Sequence, residues 1–440
     1  MFKKVYIETY GCQMNVADSE VVAAVLRDTG YSITDVMDEA ELILLNTCSI
    51  RENAEQKIWN RLDAIGAHKR KNPGIMVGVI GCMAERLKEK LVESGKHVDL
   101  VAGPDAYREL PALISDAESG HRAVNVILSR EETYADISPL RMDINGITSF
   151  VSIMRGCNNM CSYCVVPYVR GGERSRDPES VIREAEDLFS KGYRDITLIG
   201  QNVNSYKWEK QKNTILFHEL LEEVARIDPL LRIRFSTSHP KDLSDDLLLT
   251  IAGHENICKH IHLPAQSGSN RILKLMNRDY TREWYMDRVS AIRKYIPGCS
   301  VSTDMIAGFC TETEEDHQQS LSLMEWAAYD FAYMFKYSER PGTSAARKLK
   351  DDVPEETKTR RLNEIIALQN SLSATSKKED IGKIHEVLVE GNSRKSDQYL
   401  YGRNSQNKVV VFPAGNAGRG DYVNVVIEKS TSATLIGKII

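Results

Sequence analysis

The sequence predicts an α/β protein built from three units, and three observations carry that prediction. Residues 1–120 alternate short apolar runs with helical patterns, which argues for a parallel sheet. Residues 143–373 repeat a strand–helix unit six times. From residue 376 the helical period gives way to short strand-like runs separated by Gly, Asn and Ser, the pattern of a small antiparallel β-barrel. A chain of 440 residues is also too long for one ordinary core.

In the first unit, strands are expected at 5–10, 42–46, 75–80 and 100–102, with helices at 20–26, 52–71 and 84–93. In the second, strands are expected at 150–154, 196–199, 233–237, 260–263, 300–306 and 332–337, with helices between them such as 178–191 and 282–295. Pro178 and Asp242 read as helix-start residues. Six such units form either an open barrel or a doubly wound sheet, and the repeat alone does not choose. In the third unit, strands are expected at 386–390, 397–400, 408–412 and 422–427.

Hydrophobic residues make up 42% and charged residues 27%, an ordinary globular composition. No apolar run approaches bilayer length, and the N-terminus lacks the apolar core and cleavage site of a secretory signal. A cytoplasmic protein without membrane contact is expected. In a reducing compartment its nine cysteines serve metal or catalytic chemistry rather than disulfides. The net charge of −5 excludes a uniformly basic nucleic-acid binder. The tail from Ser376 nevertheless carries 10 Lys and Arg against 7 Asp and Glu, so it is the basic part of an acidic chain.

Cys157-Asn-Asn-Met-Cys161-Ser-Tyr-Cys164 follows directly on the first strand of the repeat. Thiolates suit iron–sulfur clusters and zinc. Zinc usually takes four protein ligands, and no fourth Cys or His follows at that spacing. Three cysteines can hold three irons of a four-iron cubane and leave one iron open for substrate. Gly156-Cys157-x3-Cys161-Ser-Tyr163-Cys164 resembles the signature loop of the radical SAM superfamily. That resemblance implies S-adenosylmethionine (SAM) on the open iron, a 5′-deoxyadenosyl radical, a partial (β/α)6 barrel, and Tyr163 beside the SAM adenine.

Cys12, Cys48 and Cys82 are distant in sequence, yet each follows directly on a predicted strand. In a parallel sheet the carboxyl ends share one edge, so three thiols can converge there. Thr9-Tyr-Gly-Cys12-Gln-Met-Asn15 with Asp18-Ser-Glu20, and Asn46-Thr-Cys48-Ser-Ile-Arg-Glu52, resemble the N-terminal domain of the methylthiotransferase family of radical SAM enzymes. The resemblance covers nearly the whole chain. It implies a second [4Fe-4S] cluster on Cys12, Cys48 and Cys82 that carries the transferred sulfur, and a TRAM domain, an OB-like RNA-binding barrel, at the C-terminus.

Tyr10-Gly-Cys-Gln13, Ile199-Gly-Gln201-Asn202-Val-Asn204-Ser-Tyr206, His262-Leu-Pro264-Ala-Gln266-Ser-Gly268-Ser and Tyr337-Ser-Glu-Arg340-Pro-Gly-Thr343 resemble the branch acting on N6-isopentenyladenosine beside the tRNA anticodon. Sister branches act on N6-threonylcarbamoyladenosine or on an aspartate of a ribosomal protein. A non-enzymatic iron–sulfur RNA-binding protein is the remaining rival. The family usually has Phe-Pro-Gly-Glu where this chain has Phe309-Cys310-Thr311-Glu312, so that turn is expected to differ. Cys310, Cys258 and Cys299 read as packing residues.

Adenine C2–H is neither acidic nor electrophilic, and radical cofactors supply such chemistry. The family resemblance implies two SAM per product, one for methyl transfer to sulfur and one for the radical. The target base must be splayed from its loop to reach both clusters. SAM contacts are expected from Gln201, Asn202, Ser236, Ser238, Gln266 and Asp304 at the carboxyl ends of the repeat strands. Arg170, Arg174 and Arg176 are expected to meet phosphate, as are Lys377, Lys378, Arg394, Lys395, Arg403 and Arg419 with Tyr401 in the tail. Expected partners are the tRNA anticodon stem-loop, an electron donor such as flavodoxin or ferredoxin, and iron–sulfur assembly or carrier proteins. A monomer is expected.

Overall fold

The computed structural model describes residues 3–48, 52–121, 123–142, 145–393 and 396–440. The N-terminal unit is a six-stranded, all-parallel sheet of β1 (Lys3–Thr9), β2 (Tyr31–Ile33), β3 (Leu42–Thr47), β4 (Met76–Gly81), β5 (Leu100–Ala102) and β6 (Ala123–Asn125) in the order β2-β1-β3-β4-β5-β6. Helices α1 (Gln13–Asp28), α2 (Glu52–Lys71), α3 (Cys82–Leu87), α4 (Lys90–Glu93) and α5 (Leu110–Glu118) connect the strands. Every residue of β3 is buried, as both faces of a parallel sheet require, which explains its unbroken apolar run.

Several features depart from expectation here, among them α5, which was not anticipated, and α1, which starts at Gln13 rather than at 20. The sheet extends through β6 to Asn125, past the expected boundary at 120. The helix expected over 84–93 is broken in two at Lys88, whose φ is +52°. The three-residue strand β2 was not anticipated, being too short to show a period.

The central unit contains β7 (Thr148–Ser152), the short pair β8 (Met154–Arg155) and β9 (Arg174–Ser175), β10 (Asp195–Ile199), the hairpin β11 (Lys207–Lys210) and β12 (Asn213–Leu216), then β13 (Arg232–Ser236), β14 (His260–His262), β15 (Ser300–Ala307) and β16 (Phe331–Lys336). Six of these run parallel in chain order. One sheet holds β7-β10-β13 and another β14-β15-β16, joined through a parallel bridge from Ile233 to Ile257. The result is the partial (β/α)6 barrel. Alternate residues such as Ile196, Leu198, Ile233, Ile261 and Met305 pack into one core beneath the outer helices. Pro178 is the first residue of its helix, capped by Asp177. Asp242 does not start a helix. Ser244 caps Asp245–Gly253 instead, while the Asp242 carboxylate accepts from Asn202 and Lys241.

The helix Glu355–Lys378 packs on the barrel and runs past residue 376. Strands β17 (Ile384–Ser393), β18 (Ser396–Asn404), β19 (Val409–Pro413), β20 (Tyr422–Ser430) and β21 (Leu435–Ile439) then close a five-stranded barrel, the last of them unforeseen. This tail plugs the amino ends of the central strands. Arg232 and Arg234 donate to the carbonyls of Arg403 and Asn404, and the Lys259 amide donates to Ser405. Lys408 pairs with Asp330, just before β16.

Candidate iron–sulfur and SAM site

The three N-terminal cysteines end adjacent strands. Register pairs Thr9 with Asn46 and Thr47 with Gly81, so Cys12, Cys48 and Cys82 leave one edge of the sheet together. Gly11 allows the first two to meet. Its φ is +134°, and a Cβ there would lie 2.5 Å from Cys48 Cβ. The Cys12 and Cys48 thiols are hydrogen-bonded, and that bond, helped by Arg170, holds the Cys12 thiol down at about 6. Burial pushes the Cys82 thiol up, and Arg170 opposes this from a hydrogen bond of 3.1 Å to the sulfur.

Buried amides fix these loops. Asn15 donates to Asn46 Oδ1 and to the Thr47 carbonyl, while Asn46 donates to the Asn15 carbonyl and to Ser19 Oγ. The polar residues flanking Cys12 and Cys48 are thus the clamp between two strand ends.

Cys157, Cys161 and Cys164 lie on the loop after β8, close enough that Cys161 raises the proton affinity of both other thiols. Burial is the larger cause, pushing Cys157 up to about 11 and Cys164 up to about 12. Gly156 has φ +76°, and a Cβ there would overlap the Gly172 carbonyl oxygen at 1.9 Å. Buried Arg278 donates to Cys161 Sγ at 3.3 Å. Each triplet therefore has one guanidinium on one of its sulfurs. Three neighbouring thiols with a fixed cation suit a thiolate-held cubane.

Cys82 of the first triplet packs against the helix that follows the second. Cys82 packs with Val165 and Val169, on either side of the start of α6 (Val166–Arg170), and Val165 follows Cys164 in sequence. Arg170 ends this helix and reaches back to Cys82 and to Asp18 at 2.8 Å. Arg155 also meets Asp18 at 2.8 Å, and Arg174 meets Asp105 at 2.6 Å. Burial pushes the Asp18 carboxyl up, but Arg155 and Arg170 more than offset this and hold it below the usual carboxylate range.

These contacts correct one expectation. Arg170, Arg174 and Arg176 are not phosphate ligands on an exposed loop. They are 3%, 7% and 5% exposed and ion-paired with Asp18, Asp105 and Glu184. Asp18 and Asp105, which pair with the first two, are distant in sequence, so the run looks unpaired when read alone.

At the carboxyl ends of the barrel strands, Gln201 accepts from the Gly156 amide and so pins the signature loop. Asn202 Oδ1, Ser238 Oγ and His239 Nε2 are buried and lack protein partners, an arrangement that fits a polar ligand such as SAM. His239 was not anticipated; burial holds its imidazole neutral, with a pKa of about 2. Gln266 is buried with φ +67°, its amide bonded to the Asp304 carbonyl, and Asp304 faces His262 at 3.4 Å. Ser236 ends β13 in the same layer, half-buried. Tyr163 packs edge-on to Phe309. Cys310 lies in that same apolar cluster, and Cys258 is buried. Thr311 takes the turn at φ +63°.

In the tail, Lys378 and Arg419 are exposed. Lys377 donates to the Ser432 carbonyl, and Arg403 faces Glu390 and donates to Asn407. Tyr401 is half-buried on β18. Arg394 and Lys395 lie outside the described residues.

Residues 4–103 match the uncharacterized protein family UPF0004, 151–324 the radical SAM superfamily, and 378–440 the TRAM domain. The chain is 58% identical to a tRNA-2-methylthio-N(6)-dimethylallyladenosine synthase of Amoebophilus asiaticus, over 99% of this chain and 92% of that protein. It is 60% identical to the protein of the same name from Bacteroides fragilis, over 99% and 95%. In fold it resembles the cobalamin- and [4Fe-4S]-bound radical SAM methyltransferase TsrM of Kitasatospora setae, with a TM-score of 0.60 at 15% identity over 79% of this chain and 74% of that one. It also resembles the cobalamin-dependent radical SAM enzyme OxsB, with a TM-score of 0.55 at 13% identity over 83% and 56%. The chain belongs to the family of the tRNA-2-methylthio-N(6)-dimethylallyladenosine synthases, radical SAM enzymes with two [4Fe-4S] clusters.

Proposed function

We propose that this chain converts N(6)-dimethylallyladenosine beside the tRNA anticodon to its 2-methylthio derivative. The observation that carries the reading is the packing of Cys82 on α6, the helix that follows Cys164, through Val165, Val169 and Arg170. Two separate sites would not serve one carbon atom; two sites sharing a helix can. Cys157, Cys161 and Cys164 would hold one cluster with SAM, and Cys12, Cys48 and Cys82 the other. When bound, these groups supply the carbon radical and the activated sulfur that an aromatic C–H bond demands.

The chain's own residues do the positioning. Arg278 and Arg170 each place a buried guanidinium on one sulfur, Cys161 and Cys82. Gln201 fixes the signature loop, and Asn202, Ser238 and His239 offer unpartnered polar atoms to SAM. Asp304 and Gln266, joined through a backbone hydrogen bond, would add contacts from β15 and the loop after β14. The TRAM-type tail would meet the tRNA through Lys378 and Arg419, with an external one-electron donor and iron–sulfur carriers completing the system in the cytoplasm. Among the described residues, no helix is long and apolar enough to cross a membrane.

Anaerobic reconstitution followed by mass spectrometry of tRNA nucleosides tests the reading. The expected product is the 2-methylthio nucleoside from dimethylallyl-bearing tRNA, with none from threonylcarbamoyl tRNA or ribosomal protein. Cleavage of SAM with no thiolated nucleoside would overturn it.

A further inference from the structure

We infer that Phe331 and Tyr333 form the corner that receives the N(6)-dimethylallyl group of the target adenosine. The inference rests on the substrate reading above and adds what recognises the substituent. Along β16 the side chains alternate: Ala332 is buried and Met334 packs on the core beneath the outer helices, while Phe331 and Tyr333 point the other way, 49% and 50% exposed. Their ring centroids lie 4.9 Å apart with the planes at 88°. Tyr333 also meets His262 edge-on at 5.8 Å, which places both aromatics on the inner face of the barrel.

Three further observations select the occupant. First, the rest of that inner wall is polar. His260 and His262 both bond to Ser302, and Asp304 faces His262. The exposed apolar surface is thus confined to the β16 side. Secondly, among the described residues β16 pairs on one side only, so the corner lies at the open seam of the barrel. The opposite edge is covered, with Met14 and Ala17 of α1 packed on Phe150 and Ile199. Thirdly, Tyr333 is the register partner of Asp304, a strand spacing of roughly 4.8 Å away.

Asp304 lies three residues before the carboxyl end of β15, and its carbonyl accepts from the Gln266 amide in the loop after β14. An adenine held there for attack at C2 carries its N6 substituent on the other side of N1, pointing away from the attacked carbon. Two rings set at right angles make a notch rather than a platform. A planar base stacks on a free ring face, whereas a branched five-carbon alkene fills a corner.

The test uses reconstituted holoenzyme with SAM and two RNA stem-loops that differ only in the N(6)-dimethylallyl group. Affinities are read by fluorescence anisotropy, and product by nucleoside mass spectrometry in the same preparations. The wild type should prefer the modified RNA by roughly 10- to 100-fold, the value of burying a few apolar carbons. Phe331→Ala and Tyr333→Ala should abolish that preference while affinity for the unmodified RNA stays unchanged. Tyr333→Phe, which keeps the ring, should retain the preference. An intact preference in both alanine variants overturns the inference. Equal weakening of both RNAs also overturns it, and makes the corner a stacking platform for a base instead. Thiolated product from the wild type, read independently, keeps the substrate reading standing when the corner fails.

Discussion

Replacing Asp18 by Asn should disconnect the two cysteine triplets. The carboxylate is 1% exposed and takes hydrogen bonds from Arg155 and Arg170 at 2.8 Å and from the Tyr107 hydroxyl at 3.3 Å. The amide keeps the shape but removes the charge that two buried guanidinium groups face. Breaking a buried pair by removing one partner costs about 3–5 kcal/mol. For a domain of this size that is a drop of roughly 10 °C in the transition it governs. The chemical effect should be local, because Arg170 would lose the anchor that holds it on Cys82 Sγ. Iron per chain after reconstitution should fall from about eight toward about four, with the signature-loop cluster retained. Reductive cleavage of SAM should persist while methylthio product is lost. Asp28→Asn, on an exposed carboxylate of the same helix, is the control and should change neither reading. A D18N protein with unchanged melting and full iron content would refute the reasoning.

Other perturbations follow from the same physics. Burial, with Asp105 nearby, pushes the Glu85 carboxyl up to about 7, against the pull of Lys88. The folded state therefore binds a proton more tightly than the unfolded chain, and stability falls as pH rises from the ordinary carboxylate range through 7. Glu85→Gln should raise the thermal midpoint at pH 8 and leave it unchanged at pH 4.5, as melting curves at the two pH values would show. Thr311 is a β-branched residue at φ +63°, a conformation that Asn tolerates better, so Thr311→Asn should stabilise by about 0.5–1 kcal/mol in denaturant titrations. Arg419 is exposed in the tail, and Arg419→Gln should weaken tRNA binding across sequences and lower the slope of log affinity against log salt by about one.

Much of this architecture is legible in the sequence because buried parallel strands write themselves as unbroken apolar runs, of which Leu42–Thr47 is the clearest. The cysteines are legible for a related reason: Cys12, Cys48 and Cys82 hold one phase of a strand–helix repeat, and phase becomes a common edge once the strands pair. What escapes is short or paired at long range. Strands Tyr31–Ile33 and Ala123–Asn125 have three residues each, too few for a period to show. Arg170, Arg174 and Arg176 look like a solvated basic run because Asp18 and Asp105, which neutralise two of them, arrive only through the docking of the N-terminal domain. Arg278 and His239 carry no local motif at all; only folding sets one on Cys161 and buries the other without a partner for Nε2. Asp242 shows the opposite error, a good capping residue whose carboxylate is spent on Asn202.

The claim that matters most is that two thiolate triplets, brought together by α6, divide the work between them. Replacing Cys12, Cys48 and Cys82 together by Ala, and separately Cys157, Cys161 and Cys164, followed by iron counting and product analysis, tests it directly. Each variant should keep about four irons. The first should still release 5′-deoxyadenosine from SAM without thiolating tRNA, and the second should release none. Full iron retention in either variant, or thiolated tRNA from the first, would contradict the account.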